Sequence, residues 1–230
     1  MNKLVVLNHK MNLLYDDIYE YIQELNKINT SNNLIVCPSD IYLETFISTS
    51  DWRVGSQNVY HELKGNFTGE LSTLQLRSMG VEYSLVGHPD RKKFFKESSS
   101  EINLKLKACL DGNVIPILFF GEEKPEDIYG QIDKQIETYL KGIRYINFIN
   151  FVYEPMWYDE LELQEDTEKV FDYIFNKLKT KYKQDPTILY GGRIEADNLN
   201  DILNIPHING IVMENTEDIE KIEKLIEKIN

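Results

Sequence analysis

Cysteine, long apolar runs and positive charge are scarce in this chain, and each scarcity closes off a class of protein. Cys37 and Cys109 are the only cysteines among 230 residues. Both lie inside apolar segments, at no spacing of a disulfide framework or zinc knuckle, so they read as core thiols in a reducing cytosol. No apolar run reaches the ~20 residues that a membrane helix needs, and the chain starts directly into a strand at Leu4 with no signal peptide ahead of it. The expectation is a soluble, cytoplasmic protein. Lysine and arginine total 25 against 38 acids, a net charge of −13. That balance disfavours nucleic acid and anionic membrane as partners, while a local cationic patch still admits a small anion. The four histidines, His9, His61, His88 and His207, show no ligand spacing, so neither metal nor cofactor is expected. With no linker or low-complexity tract, residues 1–230 read as one domain, and the acid-rich run Asp159 to Glu168 as a solvated loop.

What is present is alternation. Short apolar runs take turns with longer amphipathic ones, the pattern of a parallel sheet covered by helices. The strand candidates are Leu4 to Asn8, Leu34 to Cys37, Arg53 to Asn58, Tyr83 to Gly87, Val114 to Phe119, Ile149 to Glu154, Thr187 to Tyr190 and Gly210 to Met213. Helices are expected near 15–28, 39–47, 72–79, 98–111, 125–141, 164–182, 195–204 and 216–229. Ser98 with Glu101 three residues on is a capping-box signal, Thr216 ahead of acids a second start, and Pro125 suits a first helical turn. Asp111-Gly112 predicts a left-handed cap at the end of the fourth helix. An open doubly wound sheet usually carries five or six strands, so eight units favour an α/β fold closed as a (β/α)8 barrel.

In such barrels the chemistry sits where strands end. The run Phe151-Val152-Tyr153 leads to Glu154, and Pro155 stops the strand because proline has no N–H for the ladder. Asn8 and Lys10 follow strand one, Gln57 and Asn58 strand three, His88 strand four and Glu122 strand five. Gly191-Gly192 follow strand seven and Glu214-Asn215 strand eight. A carboxylate, an imidazole, an ammonium and a carboxamide on one rim suit proton abstraction beside a carbonyl. The carboxylate takes the proton while imidazole and ammonium stabilise the enediolate oxygen.

These residues also resemble a known family. Asn8-His9-Lys10-Met11-Asn12 is similar to the Asn-Trp-Lys-Met-Asn opening of triosephosphate isomerases. Gln57-Asn58-Val59-Tyr60 with Lys64-Gly65-Asn66-Phe67-Thr68-Gly69-Glu70 resembles their third loop, and Val86-Gly87-His88-Pro89-Asp90-Arg91 their histidine segment. Pro116-Ile117-Leu118 with Gly121-Glu122, Tyr153-Glu154-Pro155-Met156-Trp157 and Tyr190-Gly191-Gly192 match later segments in family order. The resemblance implies Glu154 as general base, His88 as neutral electrophile, Lys10 as the cation at the substrate oxygen with Asn8 supporting it, and Pro155, Met156 and Trp157 as the start of a lid. The family exemplifies a carboxylate base paired with a neutral histidine, so that pKa logic is inherited with the resemblance. Pro89 suits the first position of a helix after His88, whose N–H groups would favour the neutral ring. The family's third loop enters a partner subunit, so Phe67-Thr68-Gly69-Glu70 implies a homodimer in which Thr68 reaches the neighbour's Asn8 and Lys10.

The departures gather at the phosphate end. After Trp157 the family's glycine-containing lid tip is replaced by Tyr158-Asp159-Glu160-Leu161-Glu162, and no glycine occurs between Gly142 and Gly191. Nearby carboxylates make a poor phosphate cradle. Arg193 stands where the family has serine, and Glu214-Asn215 where it has paired glycines. Arg193 either grips phosphate or pairs with Glu214 and fills the phosphate pocket; the second is preferred. His9, Pro89, Asp90 and Phe119-Phe120 are further departures. Three functions fit: interconversion of glyceraldehyde 3-phosphate and dihydroxyacetone phosphate, isomerisation of another short sugar or sugar phosphate, or an inactive dimeric binding protein. The first is the leading expectation, with Gly191, Gly192, Arg193, Glu214 and Asn215 toward the substrate.

Overall fold

Eight short apolar runs pair edge to edge in parallel and in chain order until the last meets the first. The structure, a computed structural model, describes residues 2–158, 166–214 and 216–230. The strands are β1 (Leu4–Asn8), β2 (Asn33–Cys37), β3 (Arg53–Ser56), β4 (Tyr83–Val86), β5 (Ile115–Phe120), β6 (Asn150–Tyr153), β7 (Thr187–Tyr190) and β8 (Ile208–Met213). Closure comes from β1 against β8, where Leu4 faces Gly210 and Leu7 faces Met213. A Cβ on Gly210 would stand 1.9 Å from the Leu4 carbonyl oxygen, so this seam needs glycine.

Side chains alternate across each strand, as the two-residue period requires. Val6, Ile35, Leu85, Ile117, Phe119, Val152, Leu189 and Val212 fill the barrel. Their neighbours Val5, Leu7, Val36, Val86, Phe151 and Tyr153 turn outward under the helices. Cys37 is inside the barrel and Cys109 sits on the buried face of the helix Ser99–Asp111; both are free and buried. A Cβ on Gly55 would come 2.8 Å from the Cys37 sulfur.

Around the sheet run α1 (Ile18–Leu25), α2 (Leu43–Thr49), α3 (Thr73–Met79), α4 (Pro89–Phe95), α5 (Ser99–Asp111), α6 (Ile128–Tyr139), α7 (Thr167–Tyr182), α8 (Leu199–Leu203) and α9 (Ile219–Ile229). Ser98 and Glu101 form the expected capping box at α5. Three expected boundaries are corrected. Pro125 lies ahead of α6, which Asp127 caps from a left-handed conformation by accepting from the Gly130 N–H. The cap of α9 is Asp218, while Thr216 is buried before it. After α5 the left-handed residue is Asn113, with φ 56°, whereas Gly112 has φ −87°. Gly112 serves close packing instead, since a Cβ there would meet the Thr73 hydroxyl at 2.3 Å. No described helix is long and apolar enough to cross a membrane.

Candidate active site

Lys10 takes its position from strained backbone. It has φ 49°, a left-handed conformation that side chains disfavour. Three neighbours hold it: its N–H donates to Asn8 Oδ1 at 3.2 Å, and its carbonyl accepts from Ser39 Oγ at 2.8 Å and Gln57 Nε2 at 2.6 Å. The ammonium then lies 3.2 Å from Asp90 Oδ2 and 2.8 Å from Glu214 Oε2. Burial pulls its pKa down, but those two carboxylates outweigh burial and the net direction is up.

His88 is the N-cap of α4, with Pro89 at the first helical position. Its Nδ1 accepts from the Asp90 N–H at 3.1 Å, so the ring's proton belongs on Nε2. That N–H donates to Glu214 Oε1 at 3.1 Å. Asn8 Nδ2 lies 3.2 Å from the same Nε2; with both nitrogens carrying protons, the amide bounds the ring without bonding to it. Phe119 meets the imidazole edge to face at 4.8 Å between centroids. Two tendencies compete for the ring's charge. Burial lowers the imidazolium pKa, while the Glu214 hydrogen bond and the charges of Glu154, Glu214 and Asp90 raise it, with a net upward direction. The N–H delivered to Nδ1 favours the neutral form in this geometry.

Glu154 follows β6, and its backbone N–H donates to the Phe120 carbonyl at 3.0 Å. Two glycines make room for it. A Cβ on Gly121 would lie 1.9 Å from the Glu154 carbonyl oxygen, and one on Gly191 2.3 Å from Oε2. Oε2 is shielded from solvent and has no hydrogen-bond partner among the described residues. Burial first, with the Glu214 charge adding to it and His88, Lys92 and Lys10 opposing, pushes the carboxyl up to about 7. A carboxyl so placed is half-ionised near neutral pH, the range in which a carboxylate is best suited to proton abstraction.

Near Glu154, Glu122 is fully buried and its Oε1 accepts from Tyr153 Oη at 3.0 Å and Trp157 Nε1 at 3.2 Å. Its carbonyl accepts from the Met156 N–H at 2.9 Å. The start of the expected lid, Pro155 to Trp157, is thereby tied to β5 through one acid. The tip residues 159–162 and Asn215 lie outside the described residues.

Arg193 and Glu214 do not pair, which overturns the preferred arrangement for the phosphate pocket. The register that sets Met213 beside Leu7 places Glu214 next to Asn8 over the barrel mouth, where it meets Lys10 and His88. Arg193 is exposed, with no ion pair among the described residues, and its carbonyl accepts from Asn198 Nδ2 at 2.9 Å. Gly192, at φ 127°, needs to be glycine. Together these groups enclose a cavity of about 470 Å³ in which Lys10, Lys93, Arg193 and Lys221 face Asp90, Glu154, Glu195 and Glu214. Lys93 and Lys221 carried no signal in the sequence, because only folding turns α4 and α9 to this mouth. Asp90 was legible as a change beside His88 but not as the anchor of both Lys10 and Nδ1.

The remaining expected residues lie elsewhere. Phe67 and Glu70 line a separate cavity of about 320 Å³, Phe67 packs on Tyr60 at 4.6 Å, and Thr68 and Gly69 are exposed. His9 is a core histidine: its Nε2 meets Tyr21 Oη at 3.1 Å, Tyr21 donates to the Thr216 carbonyl at 2.5 Å, and burial lowers its pKa to about 3. One His88 ring nitrogen and one oxygen each from Glu154 and Glu214 lie within 4.8 Å of one another, a spacing a metal ion would accept. The ring does not fit one, since Nδ1 accepts a backbone N–H and the proton occupies Nε2, while an ammonium already sits on Glu214.

A closed (β/α)8 barrel that gathers a neutral-range carboxyl, an Nε2-protonated imidazole and an ammonium at its strand C-termini defines a proton-transferring isomerase. The sequence profile of the family described as Triosephosphate isomerase matches residues 3–229. The triosephosphate isomerase of Aquifex aeolicus is 33% identical over 230 residues, 93% of each chain. That of Natranaerobius thermophilus is 31% identical over 193 residues, 78% of this chain and 75% of its own. That of Francisella philomiragia is 28% identical over 227 residues, 91% and 90% of the two chains. This chain belongs to the triosephosphate isomerase family.

Proposed function

We propose that the chain interconverts glyceraldehyde 3-phosphate and dihydroxyacetone phosphate by a one-base enediol mechanism, as a cytoplasmic homodimer. Glu154 removes a proton from the carbon beside the carbonyl. The His88 Nε2–H and the Lys10 ammonium stabilise the oxygen as it gains charge; His88 gives that oxygen its Nε2 proton and takes up the proton of the neighbouring hydroxyl, and Glu154 returns the carbon-bound proton to the neighbouring carbon as the new carbonyl forms. Asn8 supports Lys10, and Pro155, Met156 and Trp157 begin the lid. Arg193, with the backbone of Gly191 and Gly192, receives the phosphate; Glu214 and Asn215 form the facing loop. Phe67, Thr68, Gly69 and Glu70 enter the partner subunit.

One observation carries most of this: Glu154, whose buried Oε2 has no partner among the described residues and whose carboxyl pKa is about 7, lines the same cavity as Lys10. The acids Asp90, Glu195 and Glu214 on the same cavity oppose a dianion and favour a second reading, a short sugar without phosphate. Purified protein is assayed for isomerisation of glyceraldehyde 3-phosphate beside Glu154→Gln. Turnover in the parent, lost about 10³-fold in the variant, supports the first reading. Equal rates in both overturn Glu154 as base, and turnover only of unphosphorylated sugars supports the second.

A further inference from the structure

Glu214 divides its two oxygens between the two groups that a carbonyl substrate requires. Oε1 accepts from His88 Nε2 at 3.1 Å and Oε2 meets Lys10 Nζ at 2.8 Å. One oxygen of the same carboxylate, one of Glu154 and a His88 ring nitrogen all lie within 4.8 Å of one another, so Glu214 shares the small space where base and electrophile meet. A carboxylate is a planar anion with charge shared over two neighbouring oxygens. So is the enediolate that those donors are set to stabilise.

We propose that Glu214 is a resident ligand of the oxyanion site: its carboxylate takes the places of the two substrate oxygens, and substrate binds by displacing it. The proposal rests on the isomerase reading of the site. It differs from a positioning role because both donors are held without Glu214. Lys10 is fixed by Asn8, Ser39 and Gln57 through its backbone and by Asp90 at its ammonium. The His88 ring is fixed by the Asp90 N–H at Nδ1. What Glu214 adds is occupancy, and occupancy lowers apparent affinity by the fraction of molecules left open. A site open in about one molecule in ten binds about tenfold more weakly. Glu214 thereby sets a threshold that a ligand passes only by offering both donors a stronger pair of oxygens, which makes it a specificity-determining residue.

The test uses Glu214→Gly, the isosteric Glu214→Gln as a check against a disturbed loop, and acetate as the probe. Histidine NMR signals and initial rates are followed in the full-length protein. The expected result is that acetate binds Glu214→Gly at His88 and inhibits it competitively, while the parent is insensitive. KM should fall about tenfold in the glycine variant, with a smaller fall in the glutamine variant. A glycine variant that ignores acetate, with unchanged KM and reduced kcat, overturns the proposal and makes Glu214 a positioning residue. Acetate binding to the glycine variant alone, with no turnover in any form, supports the occupancy and removes the isomerase reading separately.

Discussion

Gly191 leaves open the volume that Glu154 Oε2 occupies: a Cβ at position 191 would stand 2.3 Å from that oxygen and 2.9 Å from Val152 Cγ1. Val152 belongs to the barrel interior and does not yield easily, whereas the Glu154 carboxylate is the free end of a side chain whose backbone alone is held, to Phe120. Gly191→Ala should therefore push the carboxylate off its position by a large fraction of an ångström. The expected outcome is a loss of about 10²-fold in kcat with the thermal midpoint falling only modestly. Steady-state kinetics beside a thermal melt check it, and a fully active alanine variant would show that the carboxylate has another place to stand.

The pH dependence follows from the same carboxyl. Its pKa is about 7 instead of the ordinary 4.5, and only the ionised form is a base. In the free enzyme, kcat/KM should rise with pH and level off above about 7. Stability runs the other way. A carboxyl whose folded pKa lies above its unfolded one binds more protons folded, so its contribution is complete below 4.5 and is lost as pH rises through 7. Glu154→Gln should gain about 1–3 kcal/mol over the parent at pH 8 and nothing at pH 4. Urea unfolding at the two pH values measures the difference.

Glu122 joins Trp157, at the start of the proposed lid, to the barrel through one oxygen that serves both Tyr153 and Trp157. Glu122→Ala strands the buried Tyr153 hydroxyl and the part-buried Trp157 indole N–H, and a loss of about 2 kcal/mol is expected. In a Trp52→Phe background the remaining tryptophan is Trp157, whose indole N–H loses its acceptor. Its emission should shift to the red as the ring moves toward solvent, and kcat should fall as the lid base loosens. An unshifted spectrum would place the support of the lid elsewhere.

Much of the barrel was written locally. Most strands are short apolar runs whose two faces are both buried, β3 with Arg53 and Ser56 being an exception, and β1 and β7 have the expected bounds. The box of Ser98 and Glu101 depends on residues three apart, which sequence displays directly. Boundaries that depend on distant partners were less legible. Gly112 follows a helix and reads as a left-handed cap, yet it is glycine because α3 brings Thr73 against it. His9 looks like a free polar substitution beside Lys10, and only the packing of Tyr21 makes it a core residue.

The sequence by itself determined the eight-unit alternation, the family, and which residue types stand at the strand ends: Asn8, Lys10, His88 and Glu154. Periodicity and motif order are properties of the chain, and they survive without coordinates. Tertiary structure decided who meets whom across the barrel mouth. Arg193 and Glu214 end adjacent strands and carry opposite charges, so pairing them was reasonable from order alone. Closure of β8 onto β1 with Met213 opposite Leu7 instead carried Glu214 to Lys10 and His88. A strand's register fixes such encounters to within a residue, and register is set by the packed interior of the closed barrel.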